Sequence, residues 1–158
     1  MTDASVIFVD DDPHIRQAIA QTLTLEDLSI ACFEDARSGL ESISQDYEGV
    51  VLCDYNMQGM DGLEMLDRIR AMDETIPVII LTGQGDISTA VTAMQQGAYD
   101  FIEKPFDHDE LLELLRHALE KRHLALENRR LKAQLKHLAR PGPRILGESA
   151  GMQKVMAI

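Results

Sequence analysis

Short apolar runs alternate with stretches of helical spacing along the first 120 or so residues of the chain. The apolar runs predict five β-strands, at residues 5–9 (SVIFV), 28–33, 49–53 (GVVLC), 77–81 (PVIIL) and 99–102. The stretches between them carry apolar residues at helical spacing and predict five helices, at 15–25, 36–43, 62–72, 88–96 and from residue 109 onward. Gly97 follows the fourth helical stretch and is expected to end it.

The strand candidates are continuous apolar runs, which indicates burial on both faces. Strands of this kind that alternate with helices favour an α/β fold, a doubly wound parallel sheet covered by helices on both sides. In such sheets a ligand binds outside the carboxyl ends of the strands, where the strand order reverses. Four places in the sequence directly follow predicted strands and carry polar side chains: Asp10–Asp12, Asp54, Thr82 and Lys104.

These four places combine the side chains needed for chemistry on a phosphoryl group. The carboxylates of Asp10–Asp12 and Asp54 converge if the first and third strands are neighbours, and such crowding is electrostatically costly without a cation. A hard divalent ion such as Mg²⁺ is the natural candidate, and Lys104 adds a fixed positive charge. A carboxylate can attack phosphorus while Lys104 and the Thr82 hydroxyl hold the phosphoryl oxygens. The alternative for each residue alone is a solvated loop side chain.

Four segments carry a resemblance to a known family: VDDDPHIR, LCDYNMQGMDG, VIILTGQGD and FIEKPF. They resemble, in the same order, the motifs of bacterial two-component receiver domains, and the likeness covers about residues 4–122. The resemblance implies a flavodoxin-like five-stranded sheet in the order 2-1-3-4-5. It also implies a regulatory phospho-acceptor in place of an enzyme, one that assists only its own phosphorylation and dephosphorylation.

The resemblance assigns a role to each residue that matches a motif. Asp54 is the phospho-acceptor. Asp11, Asp54 and the backbone carbonyl of Asn56 ligate Mg²⁺, and Asp10 helps through a water molecule. Asp12 is an extra acid beside the pair and is not needed as a ligand.

The remaining motif residues are expected to bind the phosphoryl group or to respond to it. Thr82 and Lys104 hold its oxygens, and the bond between Lys104 and Pro105 is expected to be cis, as in the family. Phe101 occupies the place of a rotating aromatic residue that is often Tyr, so a hydroxyl contact is lost here. Its alternative is a plain core aromatic.

The composition indicates which kinds of partner and which cellular compartment are compatible with this chain. The net charge of −12 argues against direct contact with nucleic acid, although the last forty residues are rich in basic side chains. Cys32 and Cys53 lie in predicted strands and are expected to be buried and reduced, as in a cytoplasmic protein. We find no apolar stretch long enough to span a membrane and no signal peptide at the N-terminus.

Beyond the fifth strand the pattern is that of a coiled coil. Heptad positions a fall on Leu114, Lys121, Asn128 and Leu135, and positions d on His117, Leu124, Leu131 and Leu138. An Asn at a favours a parallel two-stranded coil and fixes its register. We therefore expect a homodimer through the fifth helix and a linker at 123–140. The alternative is a single amphipathic helix that packs elsewhere.

The segment after the linker has a different character. PGP at 141–143 stops the helix, and ILGESAGMQ resembles the opening of the AAA+ ATPase domain of sigma-54-dependent activators of the nitrogen-regulator type. The expected organisation is a receiver at 1–122, a dimerisation linker at 123–140 and the start of a truncated AAA+ domain at 141–158. The chain contains no GxxxxGK phosphate loop, so ATP hydrolysis by that route is not expected of it.

The function that follows is a switch in which a sensor histidine kinase phosphorylates Asp54 and the linker controls a downstream ATPase that activates sigma-54-dependent transcription. Three alternatives remain open. A phosphatase with an Asp nucleophile usually has a second Asp two residues on, where this chain has Asn56. A single-domain phosphorelay receiver would act by protein binding alone. A scaffold would work through the coil, and replacing Asp54 would then leave its output unchanged.

Overall fold

Five strands form one sheet in which every neighbouring pair is parallel. They are β1 (Val6–Val9), β2 (Ile30–Phe33), β3 (Val50–Asp54), β4 (Val78–Thr82) and β5 (Asp100–Glu103). Their order across the sheet is β2-β1-β3-β4-β5, which confirms the doubly wound topology. The computed structural model describes residues 2–138, with side chains through residue 136. The predicted AAA+ start at 141–158 and the side chain of Leu138 lie outside the described residues.

Five helices alternate with the strands. They are α1 (Pro13–Leu25), α2 (Ala36–Glu41), α3 (Gly62–Met72), α4 (Ile87–Gln95) and α5 (His108–Leu138). The first four begin after an aspartate whose carboxylate accepts a hydrogen bond from a backbone N–H two or three residues on: Asp12, Asp35, Asp61 and Asp86. Each such cap satisfies an N–H group that the helix itself leaves unpaired. Gly97 follows α4 with φ +101°, as expected of a residue that ends a helix.

Burial separates the central strands from the edge strands. Every residue of β1, β3 and β4 is buried, as the continuous apolar runs predict. The edge strands β2 and β5 are mostly half-buried because each has a neighbour on one side alone. The prediction that Cys32 is buried was therefore wrong: its place on the edge strand leaves it exposed, whereas Cys53 is buried, and both thiols are free.

Alternate residues of the central strands supply two cores, one on each face of the sheet. The face of Ile7, Val51 and Ile80 packs against α2, α3 and α4. The opposite face is covered by α1 and α5, and its strand residues are Val6, Phe8, Val50, Leu52, Ile79 and Leu81. The sheet is thus held from both sides, with its strand ends left for polar groups.

The first four turns of α5 bury one stripe of residues against the sheet. Leu111, Leu115, Ala118 and Arg122 follow at intervals of four, three and four, and each is 0% exposed. The chain divides between Leu126 and Glu127 into two compact units. No helix in residues 2–138 is long and apolar enough to span a membrane.

Removing a side chain from this stripe should destabilise the protein. For Leu115→Ala we expect the free energy of unfolding to fall by about 2–5 kcal/mol, because a fully buried leucine leaves a cavity when it is truncated. Leu124→Ala on the same helix is the matched control, since Leu124 is 58% exposed and should change stability by about 0.5 kcal/mol or less. Urea unfolding followed by circular dichroism measures both. Equal losses would contradict this assignment of the buried face.

Candidate functional site

An acidic cleft of about 480 Å³ lies at the carboxyl ends of β1 and β3. Five of the sequence-predicted site residues line it: Asp10, Asp11, Asp54, Asn56 and Lys104. Asp12, Tyr55, Gly83 and Asp86 line it as well. The structure thus brings the ends of the first, third and fifth strands to one place, as the rule for open parallel sheets requires.

Strand pairing places the two buried carboxylates side by side. Val9 pairs with Cys53, so Asp10 and Asp54 leave adjacent strands at the same level. Helix α3 then begins directly behind Asp54. A Cβ atom at Gly62 would lie 2.7 Å from the Asp54 carbonyl oxygen, so a residue without a side chain is needed there. This close packing fixes the backbone that carries the Asp54 carboxylate.

Lys104 relieves the repulsion between the two buried carboxylates. Its Nζ lies 2.8 Å from Asp54 Oδ1 and 3.2 Å from Asp10 Oδ2. The Asp10 and Asp54 side chains are 1% and 8% exposed, whereas Lys104 keeps 25% of its side chain exposed. Asp10 also accepts a hydrogen bond from the Asp12 N–H at 2.9 Å, and the Arg16 guanidinium donates to the Asp10 carbonyl oxygen at 2.6 Å.

Burial dominates the electrostatics of Asp54. Burial is the largest cause of a pKa raised from 3.8 to about 6; the charges of Asp10 and Asp11 act in the same direction, while the hydrogen bond and charge of Lys104 oppose the shift. For Lys104, burial works against the charged form, but its contacts with Asp54 and Asp10 outweigh burial and raise its pKa. The ammonium group therefore stays charged, and the cleft holds an excess of negative charge at neutral pH.

The donor set in the cleft fits a hard divalent cation. Oxygen atoms of Asp10, Asp11 and Asp54 lie within 4.8 Å of one another, and Asp11 is exposed. Carboxylate and backbone carbonyl oxygens are the ligands Mg²⁺ prefers, and Asn56 also lines the cleft. Asp12 has another use, because its carboxylate accepts the His14 N–H at 2.9 Å and caps α1.

Thr82 and Phe101 lie near the cleft but do not line it. Thr82 ends β4 and is 1% exposed, and its hydroxyl has no hydrogen-bond partner among the described residues. Phe101 lies on β5 and is half-buried, and it borders an apolar groove formed with Ile87, Val91 and other residues of α4. The Lys104 peptide bond to the following proline is cis, as the resemblance implies.

The loop between β4 and α4 carries contacts that sequence reasoning missed. The Gly85 N–H donates to Glu103 Oε2 at 2.8 Å, which ties this loop to the end of β5. Gly85 has φ +79°, and Asp86 caps α4 by accepting the Thr89 N–H at 3.1 Å. The DxxT spacing at residues 86–89 is a signal that predicts the cap, but no local pattern predicts a pairing across 18 residues.

Comparison with known proteins places the site in a family. Residues 6–116 match the response regulator receiver domain. The chain is 48% identical over 150 residues to the C4-dicarboxylate transport transcriptional regulatory protein DctD of Pseudomonas aeruginosa, which covers 95% of this chain and 32% of that protein. The namesake protein of Rhizobium meliloti is 42% identical over 96% of this chain and 33% of its own length. The chain thus spans about a third of the length of these relatives.

A solved structure agrees with the sequence relatives. The crystal structure of the receiver domain of NtrX from Brucella abortus matches with a TM-score of 0.68 at 40% identity, over 73% of this chain and 98% of that one. Within the activator family that the sequence resembles, we expect a regulator of C4-dicarboxylate transport, and the two relatives above carry that description. The fold, the acidic cleft and these matches lead to one conclusion: the chain belongs to the response regulator receiver family of two-component signalling proteins.

Proposed function

We propose that this chain accepts a phosphoryl group on Asp54 from a sensor histidine kinase in the cytoplasm and passes the signal through α5 and the linker. The observation that carries the proposal is the cleft itself. Asp54 lies at the end of a buried strand, with Lys104 2.8 Å away and two further carboxylates beside it. An exposed acid on a loop would have none of these neighbours.

The chemistry is a transfer between two nucleophiles. An oxygen of Asp54 forms a bond to phosphorus while the bond from phosphorus to the donor nitrogen of the kinase histidine breaks, and the histidine leaves with that electron pair. Asp10, Asp11, Asp54 and the Asn56 carbonyl would hold Mg²⁺, which when bound supplies positive charge against the phosphoryl oxygens. Lys104 stabilises the same charge by turning from the Asp54 carboxylate toward the transferred group.

The raised pKa of Asp54 suits this role. A carboxyl group buried among other acids is an unfavourable place for a negative charge, and a neighbouring cation restores its ionised, nucleophilic form. Phosphorylation then adds up to two negative charges to the cleft. We propose that Thr82 moves its hydroxyl toward the phosphoryl oxygens and that Phe101 fills the space left behind. The surface of α4, β5 and α5 changes as a result.

The output is proposed by analogy with the longer relatives. Two of them are described as transcriptional regulatory proteins, and about two thirds of their length lies outside the match. We propose that the state of Asp54 controls, through a homodimeric linker, the assembly of a downstream AAA+ domain that activates sigma-54-dependent transcription. No direct DNA contact is assigned to this chain. The linker proposal rests on Leu124, Leu131 and Leu135, which are 52–64% exposed at coiled-coil spacing.

A phosphoryl donor should modify one residue. After treatment with acetyl phosphate and Mg²⁺, intact-mass spectrometry should show a single adduct of one phosphoryl group, and Asp54→Asn should abolish it because the nucleophilic oxygen is replaced by an amide. Asp12→Asn is the control, since Asp12 caps α1 and should leave the adduct in place. An adduct that persists in Asp54→Asn moves the acceptor to another residue.

The buried carboxylate should also change stability with pH. The pKa of Asp54 is about 6 in the fold against 3.8 in the unfolded chain, so its ionisation opposes folding. The cost is absent below about pH 4 and complete above about pH 6. With EDTA present, Asp54→Asn should therefore raise the free energy of unfolding by about 1–3 kcal/mol at pH 7.5 and leave it unchanged near pH 4.

The matched control for this measurement has the opposite electrostatics. A backbone hydrogen bond from His14 lowers the pKa of Asp12, so Asp12→Asn should give no gain at pH 7.5. Urea unfolding at a series of pH values checks both variants. A constant difference between Asp54→Asn and the unaltered chain from pH 4 to 7.5 would mean that ionisation of Asp54 does not oppose folding.

The proposed coil should depend on its exposed leucines. For Leu131→Ala combined with Leu135→Ala we expect the dissociation constant of the dimer to rise at least tenfold, because two apolar contacts per chain are lost. Leu25→Ala is the control, since Leu25 is also exposed, at 76%, but lies on α1 outside the heptads. Sedimentation equilibrium measures the dimer, and equal dissociation constants for both variants would remove the coil from the proposal.

A further inference from the structure

One fully buried charged side chain has no part in the acidic cleft. Arg122 is 0% exposed and ends the buried stripe of α5. Its Nε donates to the Tyr47 carbonyl oxygen at 2.8 Å, and its Nη2 donates to the Gln45 carbonyl oxygen at 2.9 Å. Its Nη1 lies 3.2 Å from Asp73 Oδ2 and also donates to the Thr75 hydroxyl. We name Gln45, Tyr47, Asp73 and Thr75 the Arg122 socket.

The socket is itself held by hydrogen bonds. Both the N–H and the hydroxyl of Thr75 donate to Asp73 Oδ1 at 2.9 Å. The Tyr47 hydroxyl donates to the Ala4 carbonyl oxygen at 2.8 Å, and Tyr47 is 3% exposed. Asp73, Thr75 and Tyr47 are therefore held by hydrogen bonds in addition to those with Arg122. A planar fork of N–H donors matches such a set of acceptors, whereas the single ammonium of a lysine does not.

Stability alone is a weak reason for this arrangement. Burying a guanidinium removes it from water at a cost that its partners offset only in part, and apolar residues of similar volume often serve folding as well. The stripe that Arg122 ends is otherwise Leu111, Leu115 and Ala118. The directional hydrogen bonds of Arg122 restrict the axial and rotational position of α5 more than an apolar contact at this place would.

The socket joins α5 to the two strands that carry the switch residues. Gln45 and Tyr47 precede β3, which ends on Asp54, and Asp73 and Thr75 precede β4, which ends on Thr82. Both strands are five residues long and buried throughout. Arg122 thus binds residues next to the amino ends of both strands, whereas the acidic cleft lies at their carboxyl ends.

We propose that Arg122 is a positioning residue for signal output, which locks the last sheet-packed turn of α5 to the strands bearing Asp54 and Thr82. Because α5 stays fixed to the sheet, the position of the helix that continues into the predicted coil then depends on the state of the cleft. The inference rests on the proposed control of the dimer by Asp54. It predicts that losing the clamp separates output from phosphorylation while leaving the cleft intact.

The test compares input and output in the same variant of the 158-residue chain. Beryllofluoride with Mg²⁺ serves as the phosphoryl mimic, and its dissociation constant reports the cleft. Sedimentation equilibrium gives the dimer dissociation constant with and without the mimic, and the ratio of the two reports output. For Arg122→Met we expect mimic binding within threefold of the unaltered chain and an output ratio reduced at least fivefold. For Arg122→Lys we expect an output ratio between those of Arg122→Met and the unaltered chain, since lysine keeps the charge but lacks the planar set of N–H donors.

A matched control separates the clamp from charge on the helix in general. Arg116 lies on the exposed face of α5 and pairs with Glu26 at 2.9 Å, so Arg116→Met should keep the full output ratio. A lower melting temperature of Arg122→Met alone would reflect a structural role and does not enter the comparison. If Arg122→Met fails to fold, Arg122→Lys and Thr75→Val, which keep the buried charge, are judged by the same ratio.

The outcomes distinguish the inference from the function on which it rests. An output ratio that Arg122→Met retains overturns the inference alone. Loss of mimic binding together with output in a folded Arg122→Met also overturns it, because the residue would then act on the cleft. An unaltered chain whose dimer constant ignores beryllofluoride removes the proposed dimer control and the inference with it.

Discussion

The pairing of Lys104 with two buried carboxylates is the interaction on which the rest of the site depends. Parallel strands bring Asp10 and Asp54 to the same level of the sheet, where both are nearly sealed from water. Two such charges repel strongly in a medium less polar than water. The hydrogen bond and charge of Lys104 lower the pKa of Asp54, so the ammonium group favours the ionised form of this carboxylate. The fold therefore prepares a site that is charged, crowded and receptive to further cations.

Helix α5 connects the Lys104 site to a second buried cation, Arg122. It follows the strand and turn that carry Lys104, and its buried stripe ends fourteen residues into the helix, at Arg122. Two cations thus anchor the chain at opposite ends of the strands. Lys104 meets carboxylates at the carboxyl ends, and Arg122 meets carbonyl, hydroxyl and carboxylate oxygens near the amino ends. Between them lie close-packed apolar contacts of Leu111, Leu115 and Ala118 with the sheet.

Much of the fold was predictable because its signals are local. Alternating apolar runs and helical patterns predicted all five strands and helices, and α3 was predicted to the residue. Asp10, Asp54 and Lys104 were predicted together because each directly follows a strand. The prediction that Cys32 is buried was wrong because sequence patterns do not show which strand is at an edge. Arg122 was missed because a basic residue near the start of a coiled-coil pattern is indistinguishable from a solvated one until the loops that surround it are known.

The hydroxyl of Thr82 has an energetic consequence for the resting protein. Buried at the end of β4 with no hydrogen-bond partner among the described residues, it carries a desolvation cost of about 1–3 kcal/mol. The phosphoryl group proposed for Asp54 would offer an acceptor that the described residues do not supply, and it would relieve this cost in the phosphorylated conformation. A difference of about 1.4 kcal/mol is a tenfold change in relative population. In the proposed switch, Thr82 would thereby contribute part of the free-energy difference between the resting and the phosphorylated state.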